Sequence, residues 1–248
     1  MFAGKVVLVT GGSSGIGKAA ALAFAEAGAA VMIGDVDARA ADTVAVIEQA
    51  GGRAAWQRTD VSSKRDVDDL VNATVQRFGA LHAALNNAGV LPPPRLFAEV
   101  EERDFDRTIA VDLKGVFLCM QAQIRHMVAH GGGAIVNTAS VGAVIANANM
   151  APYIAAKHGV AGLTKSAAIE YVRSGVRVNA IAPGFVRTDM TEPWFHTPGF
   201  LEAFLPTSPI GRHAEPAEMS GMILHLCSDA ASFTNGQVFI IDGGQTAI

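Results

Sequence analysis

The stretch Val6-Val7-Leu8-Val9-Thr10-Gly11-Gly12-Ser13-Ser14-Gly15-Ile16-Gly17 decides the fold. Its first half is an unbroken apolar run without the alternation of a half-solvated strand. It reads as a strand buried on both faces, as in a parallel sheet between two layers of helices. The second half is a glycine turn that opens a helix. Glycine permits the tight turn and lets backbone approach a pyrophosphate, and the helix N-terminus offers phosphates its unpaired N–H groups and positive dipole end. Asp35 ends the next apolar run, 18 residues after Gly17, where a dinucleotide fold needs an acceptor for a ribose hydroxyl. A rival motif overlaps the turn. Gly12-x4-Gly17-Lys18 starts like a nucleoside-triphosphate loop, but the next position must be Ser or Thr to hold magnesium, and it is Ala19.

The same alternation continues outward. The sequence predicts strands near Lys5–Thr10, Ala30–Asp35, Arg53–Thr59, Leu81–Asn86, Ala134–Ala139, Val176–Ile181 and Val238–Ile241. Helical patterns fall at Gly15–Gly28, Ala38–Ala50, Lys64–Phe78, Glu102–His130, Pro152–Ser174 and Pro216–Ser228. Repeated βαβ units with short connections imply an α/β fold: a single doubly wound Rossmann-type domain over 1–248, with a parallel seven-stranded sheet and helices on both faces. Two segments resist the pattern. One is Leu91–Phe97, with Pro92-Pro93-Pro94, and the other is Thr188–Arg212, with Trp194, Phe195, Phe200 and Phe204. Both follow strands or their turns, so both are expected beside the ligand crevice, with 188–212 as a lid.

Composition narrows the function. Only 17% of the 248 residues are charged and half are hydrophobic, which excludes intrinsic disorder. A net charge of -4 argues against nucleic acid or an anionic membrane as partner. No uncharged apolar run reaches the length of a membrane span, and the N-terminus lacks a signal peptide's features, so a cytoplasmic protein is expected. Cys119 and Cys227 read as buried reduced thiols. His126 and His130 are spaced i,i+4 without a third ligand, so no metal is expected. They fall near a helix end, where imidazoles interact with the dipole. His158 is assigned a packing role.

Tyr153 and Lys157, also i,i+4, share one helix face. A phenol ionises near ~10, and a neighbouring ammonium favours the phenolate, which suits the pair to acid–base work. Ser140 ends the Ile135–Ala139 run at the sheet's carboxyl edge and can donate to the same substrate oxygen. Asn86-Asn87-Ala88-Gly89 ends the fourth strand, and Pro183-Gly184-x-Val186-x-Thr188 follows the sixth.

In this order and spacing, the motifs resemble the short-chain dehydrogenase/reductase family in its roughly 250-residue subtype, across essentially the whole chain. The resemblance implies an enzyme using NAD, with NADP less favoured because of Asp35, to interconvert a secondary alcohol and a ketone. It implies Tyr153 as general acid–base and as a cofactor contact, Lys157 as its modulator and ribose ligand, and Ser140 as the group that orients the substrate oxygen. It further implies cofactor contacts from Gly11, Ser13, Ser14, Gly15, Ile16 and Gly17, and from Asp35. Asp60 and Val61 are implied at the adenine, with Asn87, Ala88 and Gly89 flanking the cofactor. Pro183, Gly184, Val186 and Thr188 are implied at the nicotinamide. One position departs from the pattern. The family places Asn in the long fourth helix, where that helix kinks and supports a proton relay, but here the residue is Asp112. Its carboxylate is expected to be ionised beside Lys157.

The candidate pocket residues Leu91, Pro92, Val141, Val144, Met150, Met190, Trp194 and Phe195 suggest a small, largely apolar substrate, with cyclic ones included. A rival is a reductase of carrier-bound 3-oxoacyl groups, which the acidic balance disfavours. A non-catalytic dinucleotide sensor is a second rival, disfavoured because Ser140, Tyr153 and Lys157 occur together. A homotetramer is expected from the Ala-rich Tyr153 helix (Ala151, Ala155, Ala156, Ala161, Ala167 and Ala168), with the apolar end Thr246-Ala247-Ile248 at a second interface.

Overall fold

Among the described residues, 1–247 of a computed structural model, seven strands lie parallel in the order β3-β2-β1-β4-β5-β6-β7. They are β1 (Val6–Thr10), β2 (Ala30–Asp35), β3 (Arg53–Arg58), β4 (Ala83–Asn86), β5 (Gly133–Thr138), β6 (Val176–Pro183) and β7 (Val238–Ile241). Every residue of β1, β2 and β4 is buried, as their continuous apolar runs require. Successive residues of a strand point to opposite faces, so each face closes its own core. Leu8 and Met32 join one core, with Ile124 and Met127. Val7, Val9 and Ile33 join the other, with Phe24 and Ile223. Ile248, and with it the end of the Thr246-Ala247-Ile248 stretch, lies outside the described residues.

The helices are α1 (Gly15–Glu26), α2 (Ala40–Gln49), α3 (Lys64–Phe78), α4 (Glu102–Thr108), α5 (Val116–Ala129), α6 (Ala151–Tyr171), α7 (Glu192–Phe195), α8 (Phe200–Phe204) and α9 (Ala217–Cys227). Start signals are visible locally. Ser63 caps α3 by accepting from the Asp66 N–H, and Gly79, at φ 87°, ends it.

Two expectations change. The predicted helix Glu102–His130 is not continuous, because α4 and α5 are separated by a π-helical segment, Ile109–Gly115. This wider turn, of a kind frequent at functional sites, carries Asp112, whose side chain is tied inward rather than left on the helix surface. Segment 188–212, expected to be a lid, is not wholly irregular and contains the short helices α7 and α8.

The chain runs from β1 to β2 and β3 on one side, then crosses to β4 on the other. The order therefore reverses between β1 and β4, where a crevice opens at the strands' carboxyl ends. Thr10 joins the two strand ends there, since its Oγ1 accepts from the N–H groups of Asn87 (3.0 Å) and Ala88 (3.2 Å). Behind it, Asn86 of β4 bonds Asn137 of β5 (2.9 Å) and Gln123 of α5 (2.7 and 3.1 Å). Asn137 donates in turn to Thr164 of α6 (2.9 Å). Because every member has a partner, this buried polar network fixes β4, β5, α5 and α6 in one register.

Candidate active site

The crevice at the switch point has a volume of about 470 Å³, within the range of ligand clefts. The glycine loop forms its floor. A Cβ on Gly11, at φ 70°, would stand 2.8 Å from the Ala88 Cα, and one on Gly15, at φ 53°, would stand 3.1 Å from Thr188 Cγ2. Only glycine lets these three segments meet. Ser14 precedes α1 without capping it through its side chain, and the first turn holds no acid, so the N–H groups there remain available to an anion. The donor set and the absence of bulk fit a dinucleotide pyrophosphate.

Gly17 does not line the crevice. It lies beneath the loop, where a Cβ would stand 2.0 Å from the Gly11 carbonyl oxygen, so its smallness serves helix–loop packing.

Asp35 ends β2 at the rim and is only 8% exposed. Its two oxygens accept separately from the N–H groups of Ser13 and Asp37, both at 2.9 Å, which aims the carboxylate along the crevice. Asp60 and Val61 line the same end, as do Thr59 and Ser62. The Asp60 carboxylate accepts from the Ser62 N–H (2.9 Å) and hydroxyl (2.7 Å).

At the other end, Ser140, Tyr153 and Lys157 line one wall, brought together by β5 and α6. Ser140 Oγ accepts from the Gly142 N–H at 3.1 Å, leaving its proton free to donate. A Cβ on Gly142 would stand 3.4 Å from Ser140 Oγ and 3.6 Å from Tyr153 Cε1, so the two side chains flank one small gap. Lys157 Nζ lies 5.3 Å from the centre of the Tyr153 ring and donates to the Thr138 carbonyl at 3.1 Å. Thr138 also donates to Asn87 (3.2 Å), and Asn87 donates to the Gly11 carbonyl (3.1 Å). The lysine is thereby linked to the glycine loop.

Asp112 does not line the crevice. It stands behind Lys157, with Oδ2 3.2 Å from Nζ, and the two residues are 0% and 3% exposed. Its Oδ1 accepts from the Val90 N–H at 2.8 Å, whereas Oδ2 has no hydrogen bond of good geometry. Burial pushes the Asp112 carboxyl above the usual carboxylate range, against the pull of Lys157 and the Val90 N–H. Burial works against the Lys157 ammonium too, but the neighbouring Asp112 and Tyr153 outweigh it and hold the lysine above its ordinary value. With Lys157 held as the ammonium, Oδ2 faces a donor, and a protonated carboxyl would find no acceptor there, which favours the carboxylate. Gly89 makes room for it, since a Cβ there would stand 3.1 Å from Oδ2.

Some lining residues escaped the sequence reading, among them Val36, Val90, Arg107 and Val111. Val111 had a signal, being next to Asp112, but Arg107 had none. Of the proposed substrate residues, Met190 lines the crevice, and Leu91, Pro92, Val141, Val144, Met150, Trp194 and Phe195 do not. Trp194 and Phe195 pack instead on Phe185, with ring centres 5.8 and 5.2 Å away, together with Phe200 and Phe204 at 5.6 and 4.5 Å.

His158 is exposed and bonds the Ile154 carbonyl of its own helix, so it does not pack into the core of the chain. His126 and His130 stack at 4.1 Å, and His130 bonds the His126 carbonyl. Among the described residues, no group of three His, Cys, Asp or Glu side chains could hold a metal, and no helix is long and apolar enough to cross a membrane.

Comparison with known proteins agrees with this geometry. Residues 11–246 match a family model described as enoyl-(acyl carrier protein) reductase. The chain is 44% identical over 248 residues to cis-4-hydroxycyclohexanecarboxylate dehydrogenase of Sinomonas cyclohexanicum, covering 100% of this chain and 98% of that one. It is 40% identical to cyclohexanol dehydrogenase of an Acinetobacter species, covering 99% and 96%. The crystal structure of levodione reductase superposes with a TM-score of 0.96 at 37% identity, covering 100% and 99%. Likeness of this extent, reaching from the glycine turn to the last strand, shows that the chain belongs to the short-chain dehydrogenase/reductase family and is an oxidoreductase acting on CH–OH groups.

Proposed function

We propose that this chain is a single-domain, NAD-dependent dehydrogenase of small, largely apolar, cyclic secondary alcohols, working reversibly on the corresponding ketones, with 188–212 as its lid. The observation that carries this reading is the convergence of Ser140, Tyr153 and Lys157 on a crevice floored by an uncapped glycine loop. The dinucleotide supplies the hydride acceptor or donor. The rest falls to side chains. Ser140 donates a hydrogen bond to the substrate oxygen, and Tyr153 takes the hydroxyl proton in oxidation or returns it in reduction. Lys157, fixed by Thr138 and Asp112, keeps a positive charge beside the phenol and reaches the ribose. Asp112 is a positioning residue behind it. Asp35 accepts from the adenosine ribose and repels a 2′-phosphate, which supports NAD over NADP.

The substrate class rests on the two cyclohexane-ring relatives. Arg187 pairs with Glu192 (2.9 Å), Arg212 with Glu218 (2.8 Å) and Arg95 with Glu101 (2.8 Å). These paired arginines offer little to an acidic carrier protein, and although Arg107 lines the crevice outside any ion pair among the described residues, the cyclohexane-ring relatives make reduction of carrier-bound 3-oxoacyl groups the weaker reading.

A homotetramer is part of the proposal, but most of the alanines of α6 are not free to form it. Ala156, Ala161, Ala167 and Ala168 are buried within the chain. Ala155, Gly162 and Ile169 are exposed at seven-residue spacing on α6, and Phe105 and Phe117 are exposed across the π-helical segment. Two buried, unpaired cysteines fit a reducing, cytoplasmic setting. The deciding experiment is a panel of cyclic and linear alcohols with NAD or NADP, read as reduced-cofactor absorbance. Cyclic secondary alcohols with NAD should give the highest kcat/KM. Equal kcat/KM for the two cofactors, or sugar phosphates as best substrates, would overturn the reading.

A further inference from the structure

Arg39 carries a charge that the crevice does not use. Between β2 and α2, Asp35 Oδ1 accepts from the Asp37 N–H, and Asp37 Oδ1 accepts from the Arg39 N–H, both at 2.9 Å. The two turns hold Arg39 at the rim beside Asp35 and Val36. Its Nε donates to Asp37 Oδ2 at 2.8 Å, and its Nη1 donates to Asp189 Oδ2, also at 2.8 Å and 150 positions away in sequence. Asp189 lies between Thr188 and Met190, which line the opposite rim at the start of the lid. One guanidinium thus joins the adenosine side of the crevice to the lid.

We propose that Asp37 and Asp189 withhold Arg39 from the adenosine ribose, and that this double grip makes Arg39 a determinant of selectivity against a 2′-phosphate. The inference rests on reading the crevice as an NAD site. A 2′-phosphate beside Asp35 brings nearly two negative charges to a buried carboxylate and needs a cation. Arg39 is a cation placed to supply it, four positions beyond Asp35. Releasing it means breaking two charge-assisted hydrogen bonds and leaving Asp37 and Asp189 without their counter-charge. The loss of the Asp189 bond also frees the lid from α2, so a phosphorylated cofactor would unfasten the lid on binding. NAD makes no such demand. All three side chains are well exposed, at 37 to 57%, so the grip can open without unfolding.

The test is equilibrium binding of NADH and NADPH, followed by cofactor fluorescence, in three proteins: the wild type, Asp37→Asn/Asp189→Asn, and that variant with Arg39→Ala added. Asn at position 37 still accepts the Arg39 N–H, so the turn survives. The double variant should bind NADPH at least about tenfold tighter than the wild type, the effect of one or two charge-assisted bonds to phosphate, and NADH within about threefold. Adding Arg39→Ala should abolish the gain. An unchanged NADPH affinity in the double variant would overturn the inference. So would a gain that survives Arg39→Ala, because the effect would then be mere loss of negative charge. The wild-type ratio of NADH to NADPH affinity judges the NAD reading separately, whereas the difference between the double and triple variants judges the grip.

Discussion

Replacing Asp112 by Asn should destabilise the protein in a pH-dependent way. The carboxylate serves two donors at once: Oδ1 takes the Val90 N–H at 2.8 Å, and Oδ2 faces the Lys157 ammonium at 3.2 Å. An amide has one oxygen and one NH₂ group. If the Asn oxygen turns to Val90, its NH₂ points at an ammonium; if it turns to Lys157, the Val90 N–H meets a donor. At 3.2 Å and an effective dielectric of ~20, the charge–charge attraction is about 5 kcal/mol. An amide oxygen returns part of this, so a loss of about 3 kcal/mol near pH 7 is expected, in the range for breaking a buried pair. For a chain of this size the thermal midpoint should fall by roughly 6–12 °C. The sign with pH follows from the lysine. In the wild type its ionisation is held above the ordinary ~10.5, so its stabilising contribution is complete below that pH and fades as pH rises through the folded value. In the variant, burial acts without a counter-charge, so Lys157 sheds its proton earlier and relieves the cost. The gap between wild type and variant should therefore be widest near neutrality and narrow toward pH ~11. Thermal and urea unfolding from pH 7 to 11 measures it, with Lys157→Met and the double variant completing a cycle. A variant as stable as wild type at pH 7, or a gap unchanged across the range, would show that the pair is not charged.

Tyr153→Phe should lower kcat by about 10²–10⁴ and leave the NADH dissociation constant unchanged in fluorescence titration, because the proposed proton transfer uses the hydroxyl and the ring remains. Cys119 and Cys227, both pushed up to about 12 by burial, should ignore a thiol reagent in the folded protein at pH 8 and should both react once it is unfolded. Phe185→Ala should speed protease cleavage within 188–212 and raise the substrate KM, because four rings of the proposed lid pack on Phe185, while NADH affinity stays within about twofold. If proteolysis is unchanged, the lid is held by something other than that cluster.

What could be read from the sequence was what is local. Continuous apolar runs marked strands buried on both faces. A glycine turn against the first of them marked the phosphate floor, and i,i+4 spacing placed Tyr153 and Lys157 on one wall. Element ends differ from expectation by at most three residues apart from the long fourth helix, because caps and apolar period act within a turn or two. Asp112 was visible as an odd residue, but its distance from Lys157 is set by how the π-helical segment packs on α6. There, a Cβ on Gly159 would stand 2.7 Å from Leu113 Cδ1. The same holds for the Asn86–Asn137–Gln123–Thr164 network, for the lid aromatics that turn to Phe185 rather than to the crevice, for Gly17 as a packing residue, and for the Arg39–Asp189 bridge. Each joins side chains tens of residues or more from their partners, or a residue to a loop folded back upon it. Periodicity along one element says which face a side chain takes, whereas strand order and helix docking decide what that face meets.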